Sequence, residues 1–259
     1  MNIHDLNKIG KGLQDVLHLK TIPLGMKFFE DASDIPSSFE RIERRKVICN
    51  VIGFSRYYEI PVAITREHTA NLCPVATISL GFGSAPEDFA ERAVGAFACS
   101  AEQAAQIVKG MKSLGQGRYA AVGVCPLDRM PLLPDVVQVW GNPTQMLELE
   151  YANTWNNAGR PIEMISNGHG ASCYEALTWP VVEDKIRMAI ADMGDKRHGY
   201  AGDDEMILGV PLSRLEQLYE GLLATMKTLN KLPVLYNFDD LNFPIPKYAL
   251  EHSPALKKR

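Results

Sequence analysis

Two short apolar runs near the middle of the chain, residues 119–127 and 135–141, set the strongest limit on the fold. Each is Val-rich, closes on Pro or Gly, and is too short for a buried helix, so each predicts a strand. Asn142-Pro143 then starts a helix whose apolar face is Met146, Leu147, Leu149, Tyr151 and Ala152. Further strand-like runs lie at residues 21–29, 62–65, 162–165, 186–193 and 205–210. Helical spacing marks residues 5–19, with Leu6, Ile9, Leu13, Val16 and Leu17, and residues 212–231, with Leu215, Leu218, Leu222, Leu223, Met226 and Leu229. Residues 46–58 also read as a helix, carrying Cys49 near its start. The expected fold is α/β or α+β: one compact domain with a mixed sheet flanked by helices, residues 232–259 forming a C-terminal arm.

The bulk composition narrows the partners. A chain of 259 residues, 46% hydrophobic and 22% charged, can bury a core, and its net charge of -4 argues against nucleic acid or an anionic membrane surface. The basic groups Arg41, Arg44, Arg45, Lys46 and Lys257-Lys258-Arg259 read as solvated charge. No apolar run approaches the roughly 18 residues of a membrane span. The opening residues carry no basic region followed by an apolar one, so a cytoplasmic protein is expected. Five scattered cysteines, an odd number, predict thiols rather than a disulfide framework.

Chemistry concentrates at Ser166-Asn167-Gly168-His169-Gly170-Ala171-Ser172-Cys173, between a strand-like run and a helix-like segment from Tyr174 to about Glu183. Gly168 and Gly170 permit a sharp bend that brings N–H groups near a bound molecule, which makes Gly168, Gly170 and Ser172 candidate ligand-binding residues. A thiol at the mouth of the following helix would feel its positive end, so Cys173 is expected to favour thiolate. His169 can activate that thiol, add a ligand, or be a plain loop residue held by a carbonyl; His68, before Cys73, has the same ambiguity. Residues 194–199 read as a polar loop at a strand end, where Arg197 or Lys196 can hold a carboxylate or phosphate and Asp195 can orient that base or accept a proton. A solvated turn explains the same residues equally well. Cys99 falls between two expected helices rich in small residues, from Ala90 to Met111, and reads as a packed core thiol. Those helices can also pack against a second copy of the chain. No Gly-x-Gly-x-x-Gly or Walker sequence supports a nucleotide site.

Several short pieces, taken in order, resemble the uncharacterised DUF169 family: Ile22-Pro23-Leu24-Gly25-Met26-Lys27-Phe28, Cys49, Cys73 before Leu80-Gly81, Pro134-Asp135-Val136-Val137, Gly170-Ala171-Ser172-Cys173, Gly194-Asp195-Lys196-Arg197 and Asp203-Asp204-Glu205-Met206. The resemblance runs from Ile22 to about Leu222 and implies thiols at Cys49, Cys73 and Cys173, with a Gly-Asp-Arg loop near the end. Here Lys196 separates Asp195 from Arg197, so either base can fill the arginine's place.

Distant cysteines can still converge in the fold. Three thiolates from Cys49, Cys73 and Cys173 would suit an iron-sulfur cluster or zinc, leaving one position open for a substrate. The function expected on that basis is a metal- or iron-sulfur-dependent enzyme of lyase or sulfur-transfer type, with His169, Asp195 and Arg197 as catalytic candidates. The alternative is a non-catalytic protein that holds a small molecule or a tetrapyrrole-type prosthetic group. Unmetallated thiols remain compatible with the same sequence.

Overall fold

The computed structural model describes residues 1–166 and 168–227. Its centre is an eight-stranded sheet in the order β2-β3-β4-β1-β5-β8-β7-β6. The strands are β1 (Leu24–Phe29), β2 (Glu40–Arg41), β3 (Val62–Thr65), β4 (Ala121–Pro126), β5 (Val136–Gly141), β6 (Glu163–Met164), β7 (Arg187–Ile190) and β8 (Met206–Pro211). All neighbours are antiparallel except the two edge pairs, β2 with β3 and β6 with β7.

Helices cover both faces, which is why the central strands read as continuous apolar runs. One face packs against α1 (Ile3–Leu17), α7 (Pro143–Thr154) and α10 (Leu212–Thr225), whose Leu13, Leu149 and Leu218 meet Val137, Val139, Leu208 and Val210. On the other face lie α2 (Ile48–Tyr58), α4 (Pro74–Ser79) and a π-helical turn, Ala171–Glu175. Their Val51, Ala76 and Cys173 share a core with Leu24, Met26, Val136 and Trp140. Successive residues of β5 thus alternate between two cores, as a strand's twofold period requires. Smaller helices complete the chain: α3 (Arg66–Thr69), α5 (Phe89–Ala93), α6 (Ala101–Gly110), α8 (Thr178–Glu183) and α9 (Met193–His198).

Helix boundaries have local causes. Asn142 accepts from the Gln145 N–H while the Gln145 side chain accepts from the Asn142 N–H, and Pro143 occupies the first turn, so α7 starts as its sequence predicts. The Gln145 amide also donates to the carbonyls of Leu17 and His18, tying the end of α1 to the start of α7.

The sheet and its flanking helices match the expected class, and four local expectations are corrected. The helices near Ala90 are short and separated by a turn in which Gly95 has φ +78°, and Cys99 is exposed rather than packed in a core. The segment expected as a polar loop at residues 194–199 lies almost wholly within α9, because Asp192 and Asp195 cap each other's N–H groups. The chain after Cys173 is a π-helical turn followed by α8, not one helix. Finally, α10 ends at Thr225; residues 228–231 and the arm at 232–259 lie outside the described residues. No helix among the described residues is long and apolar enough to cross a membrane.

Candidate functional site

The π-helical turn organises the site. It begins at Gly170, whose φ of +84° is easy only for glycine, and a Cβ there would stand 2.5 Å from Val75 Cγ1. The turn closes with Glu175 N–H donating to the Gly170 carbonyl at 3.0 Å and Ala176 N–H to that of Ala171 at 2.8 Å.

Two aspartates at the start of α9, Asp192 just before it and Asp195 in its first turn, hold the turn's leading N–H groups. Asp192 Oδ2 accepts from the N–H groups of Gly170 and Ala171, the second at 3.1 Å. Asp195 accepts from Ser172 N–H at 3.2 Å and from the Ser172 hydroxyl. From the sheet side, the buried amide of Gln138 donates to the carbonyls of Ser172 and Ala176 at 2.5 and 3.1 Å. Side chains from other elements thus engage the N–H groups of residues 170–172 and the carbonyls of Ser172 and Ala176.

The same arrangement gathers three sulfurs from distant parts of the sequence. Cys49 lies in the first turn of α2, and a Cβ on Gly194 of α9 would approach its Sγ to 3.6 Å. That packing depends on close approach, since a Cβ on Gly53 would meet Gly199 backbone at 2.7 Å. Asn50 reinforces it by donating to the His198 carbonyl at 2.8 Å. Cys73 precedes Pro74 at the start of α4 and is half-buried. The Cys173 thiol lies close enough to Cys49, Cys73 and Asp195 for all three to act on it.

These surroundings oppose thiolate formation. The Cys49 side chain raises the Cys173 pKa well above the ordinary thiol value, followed by burial and the nearby sulfurs. Burial also raises Cys73, outweighing the Val75 and Ala76 N–H groups that face its sulfur. The expectation that Cys173 favours thiolate is therefore overturned. A helix start promotes thiolate through unpaired N–H groups, but here carboxylates take those of residues 170–172. Asp195 is itself pushed up to about 6, by burial first and then by Asp192, against the hydrogen bonds from Ser172 and Asp192.

The remaining candidates separate into two groups. His169 is at the bend, its ring centroid 4.2 Å from that of Phe97, and burial lowers its pKa against the pull of Asp192. With Val75, Phe89, Met111 and Tyr174 it lines a small apolar pocket beside the cysteines. Gly168 is exposed, with nothing within 4 Å of the position a Cβ would take. Arg197 is exposed on α9, and Lys196 reaches outward to the Gly202 carbonyl and Asp203. Asp195 therefore orients Ser172, not Arg197. His68 is bonded to Thr65 at 2.9 Å.

Sequence reasoning missed Asp192 and Gln138. The spacing Asp192-x-x-Asp195 is a readable capping signal, and an amide inside the apolar run 136–141 is a readable buried polar group. Neither signal reveals its partner. Among the described residues no group of three His, Cys, Asp or Glu side chains is arranged to hold a metal ion.

One curated relative, the uncharacterized protein MJ0308 of Methanocaldococcus jannaschii, is 22% identical over 227 residues, covering 86% of this chain and 95% of the relative. No solved structure matches the chain. The profile of the DUF169 family, described as uncharacterised ArCR, matches residues 12–221 and so spans all three clustered cysteines with Asp192 and Asp195. On that match over most of its length, the chain belongs to the DUF169 family.

Proposed function

We propose that Cys49, Cys73 and Cys173 hold an iron-sulfur cluster in a cytoplasmic enzyme of lyase or sulfur-transfer type. The observation that carries this reading is the electrostatic coupling of three thiols brought together from α2, α4 and the π-helical turn. Thiols are the donors iron-sulfur clusters take. As they stand, the three sulfurs do not form the ligand shell of one ion. A cluster would present separate irons to separate thiolates, whereas a lone zinc needs all its ligands around one centre. The Cys49 side chain, burial and the neighbouring charges hold Cys173 protonated, and a bound cation would favour its thiolate against them.

When bound with three protein ligands, such a cluster supplies a Lewis-acidic iron with an open position. The chain's own residues then have definable tasks. Gly170 lets the bend approach Val75, Asp192 and Asp195 fix the turn bearing Cys173, and His169 stands on the apolar side where a substrate would enter. A second reading, small-molecule or prosthetic-group binding without turnover, requires the apolar pocket lined by His169, Phe97 and Tyr174 to open, since its volume of about 10 Å³ matches a single water.

Anaerobic purification with iron and acid-labile sulfide analysis tests the first reading. Stoichiometric iron and sulfide are expected in the parent protein, lost in Cys49→Ser, Cys73→Ser and Cys173→Ser and kept in Cys99→Ser. Equal retention in all four variants, or folded protein without iron and sulfide, sinks it; a Soret band would favour the second reading.

A further inference from the structure

On the opposite face of the sheet from the cysteines, a cleft of about 340 Å³ opens between the end of α7, the chain around β6 and the start of α10. Its walls carry four cationic residues, Arg160, Lys185, Arg187 and Arg214, against two carboxylates, Glu163 and Asp184. Both carboxylates are already engaged. Arg187, 3% exposed, grips Glu163 and Glu183, while Arg214 pairs with Asp184 at 2.9 Å. A neighbouring acid, Glu150, accepts from the Ile162 N–H with both oxygens.

Arg160 and Lys185 are left without an ion pair among the described residues. The two unpaired cations border a concavity of a chain whose net charge is -4. Concave low-dielectric walls focus the field of such charges, and guanidinium groups match the geometry of carboxylate and phosphate. Arg187 lines the cleft from the strand but turns its guanidinium to the other face of the sheet, 5.8 Å from the Trp179 ring and held by Glu163 and Glu183. Beside Arg160, Asn157 donates to the Arg160 carbonyl and accepts from its N–H, fixing the backbone that presents that side chain.

We propose that this cleft is a second binding site, for a small organic anion bearing carboxylate or phosphate groups. Its volume is near the lower end of the roughly 300–1,000 Å³ of small-molecule sites, which favours a compact metabolite over a nucleotide. Arg160 and Lys185 supply the attraction, and Asp184 keeps Arg214 in place.

Calorimetric titration of the full chain at low ionic strength, with succinate and with inorganic phosphate as separate probes, tests the proposal. Saturable binding of at least one probe is expected, and the tighter one identifies the anion class. The double variant Arg160→Gln/Lys185→Gln should weaken it by about tenfold or more. Both side chains are exposed, so the variant should fold. Lys8→Gln/Lys11→Gln on α1 and Cys49→Ser should bind as the parent does, which separates this site from the cysteine site. No binding of either probe, or equal loss in the α1 variant, overturns it.

Discussion

Ser172 donates both its backbone N–H and its hydroxyl to Asp195, joining the turn that bears Cys173 to the start of α9 across 23 residues of sequence. The carboxyl is 1% exposed and its pKa is pushed up to about 6. A carboxyl whose folded pKa exceeds its unfolded value stabilises the fold fully below the unfolded value of 3.8 and loses that contribution as pH rises through about 6. Asp195→Asn should therefore gain on the parent as pH rises from 4 to 7, by about 2–4 kcal/mol. Urea denaturation of both proteins across that range checks it, and a pH-independent difference would contradict the assignment.

A second buried carboxylate has the opposite sign. Burial pushes Glu205 up, but the Arg56 guanidinium and the Gly202 N–H outweigh it and hold the group below its ordinary value. Arg56 is 1% exposed, donates to Thr21 at 2.8 Å and lies 4.3 Å from the Trp140 ring. The pair's contribution is present above about pH 4.5 and lost as pH falls through the depressed value. Arg56→Met should cost about 3–5 kcal/mol at pH 7, because it strands a buried carboxylate. Adding Glu205→Gln should recover part of that loss, and thermal unfolding of the single and double variants measures the recovery.

The sheet was legible because burial on both faces writes short Val-rich runs into the sequence, as at 136–141, and α7 was legible because Asn142-Pro143 marks its first turn. Residues 74–79 and 193–198 hid their helices because six residues show less than two turns of periodicity. Cys99 was misread because small neighbours signal close packing equally in a turn and in a core. At the site, Gly170 and Cys173 stood out as residue types, whereas the loss of the helix-end field at Cys173 depends on Asp192 and Asp195, some twenty residues on. Arg197 parts from Asp195 for a simpler reason: forming α9 turns it to solvent while Asp195 faces inward.

Gly170 offers a direct test of how tightly the bend is set. Alanine there would carry a side chain at φ +84° and place Cβ 2.5 Å from Val75 Cγ1. The strain and the clash together should cost about 1–3 kcal/mol. Val75→Ala in the same chain should return the share due to the clash and leave the share due to φ. Chemical denaturation of Gly170→Ala and the double variant separates the two, and a stability unchanged from the parent would mean that the backbone relaxes elsewhere.

Four of the five thiols should also differ in reactivity, because the thiolate is the attacking form and must be reached by the reagent. Cys99 is exposed, so a maleimide should label it first in folded, metal-free protein at pH 8. Cys73 is half-buried with its pKa raised by burial, and should follow slowly. Cys125 is buried with its pKa pushed up to about 12, and Cys173 is buried with its pKa raised well above the ordinary thiol value, so both should wait for unfolding. Mass spectrometry of peptides from a time course gives the order. If Cys173 labelled as fast as Cys99, the thiol would be open to solvent and the carboxylate-held turn would not exist as described. In Ser172→Ala, which removes the hydroxyl bonded to Asp195, Cys173 labelling should accelerate while Cys125 labelling does not, since only the first thiol lies in the turn that Asp195 holds.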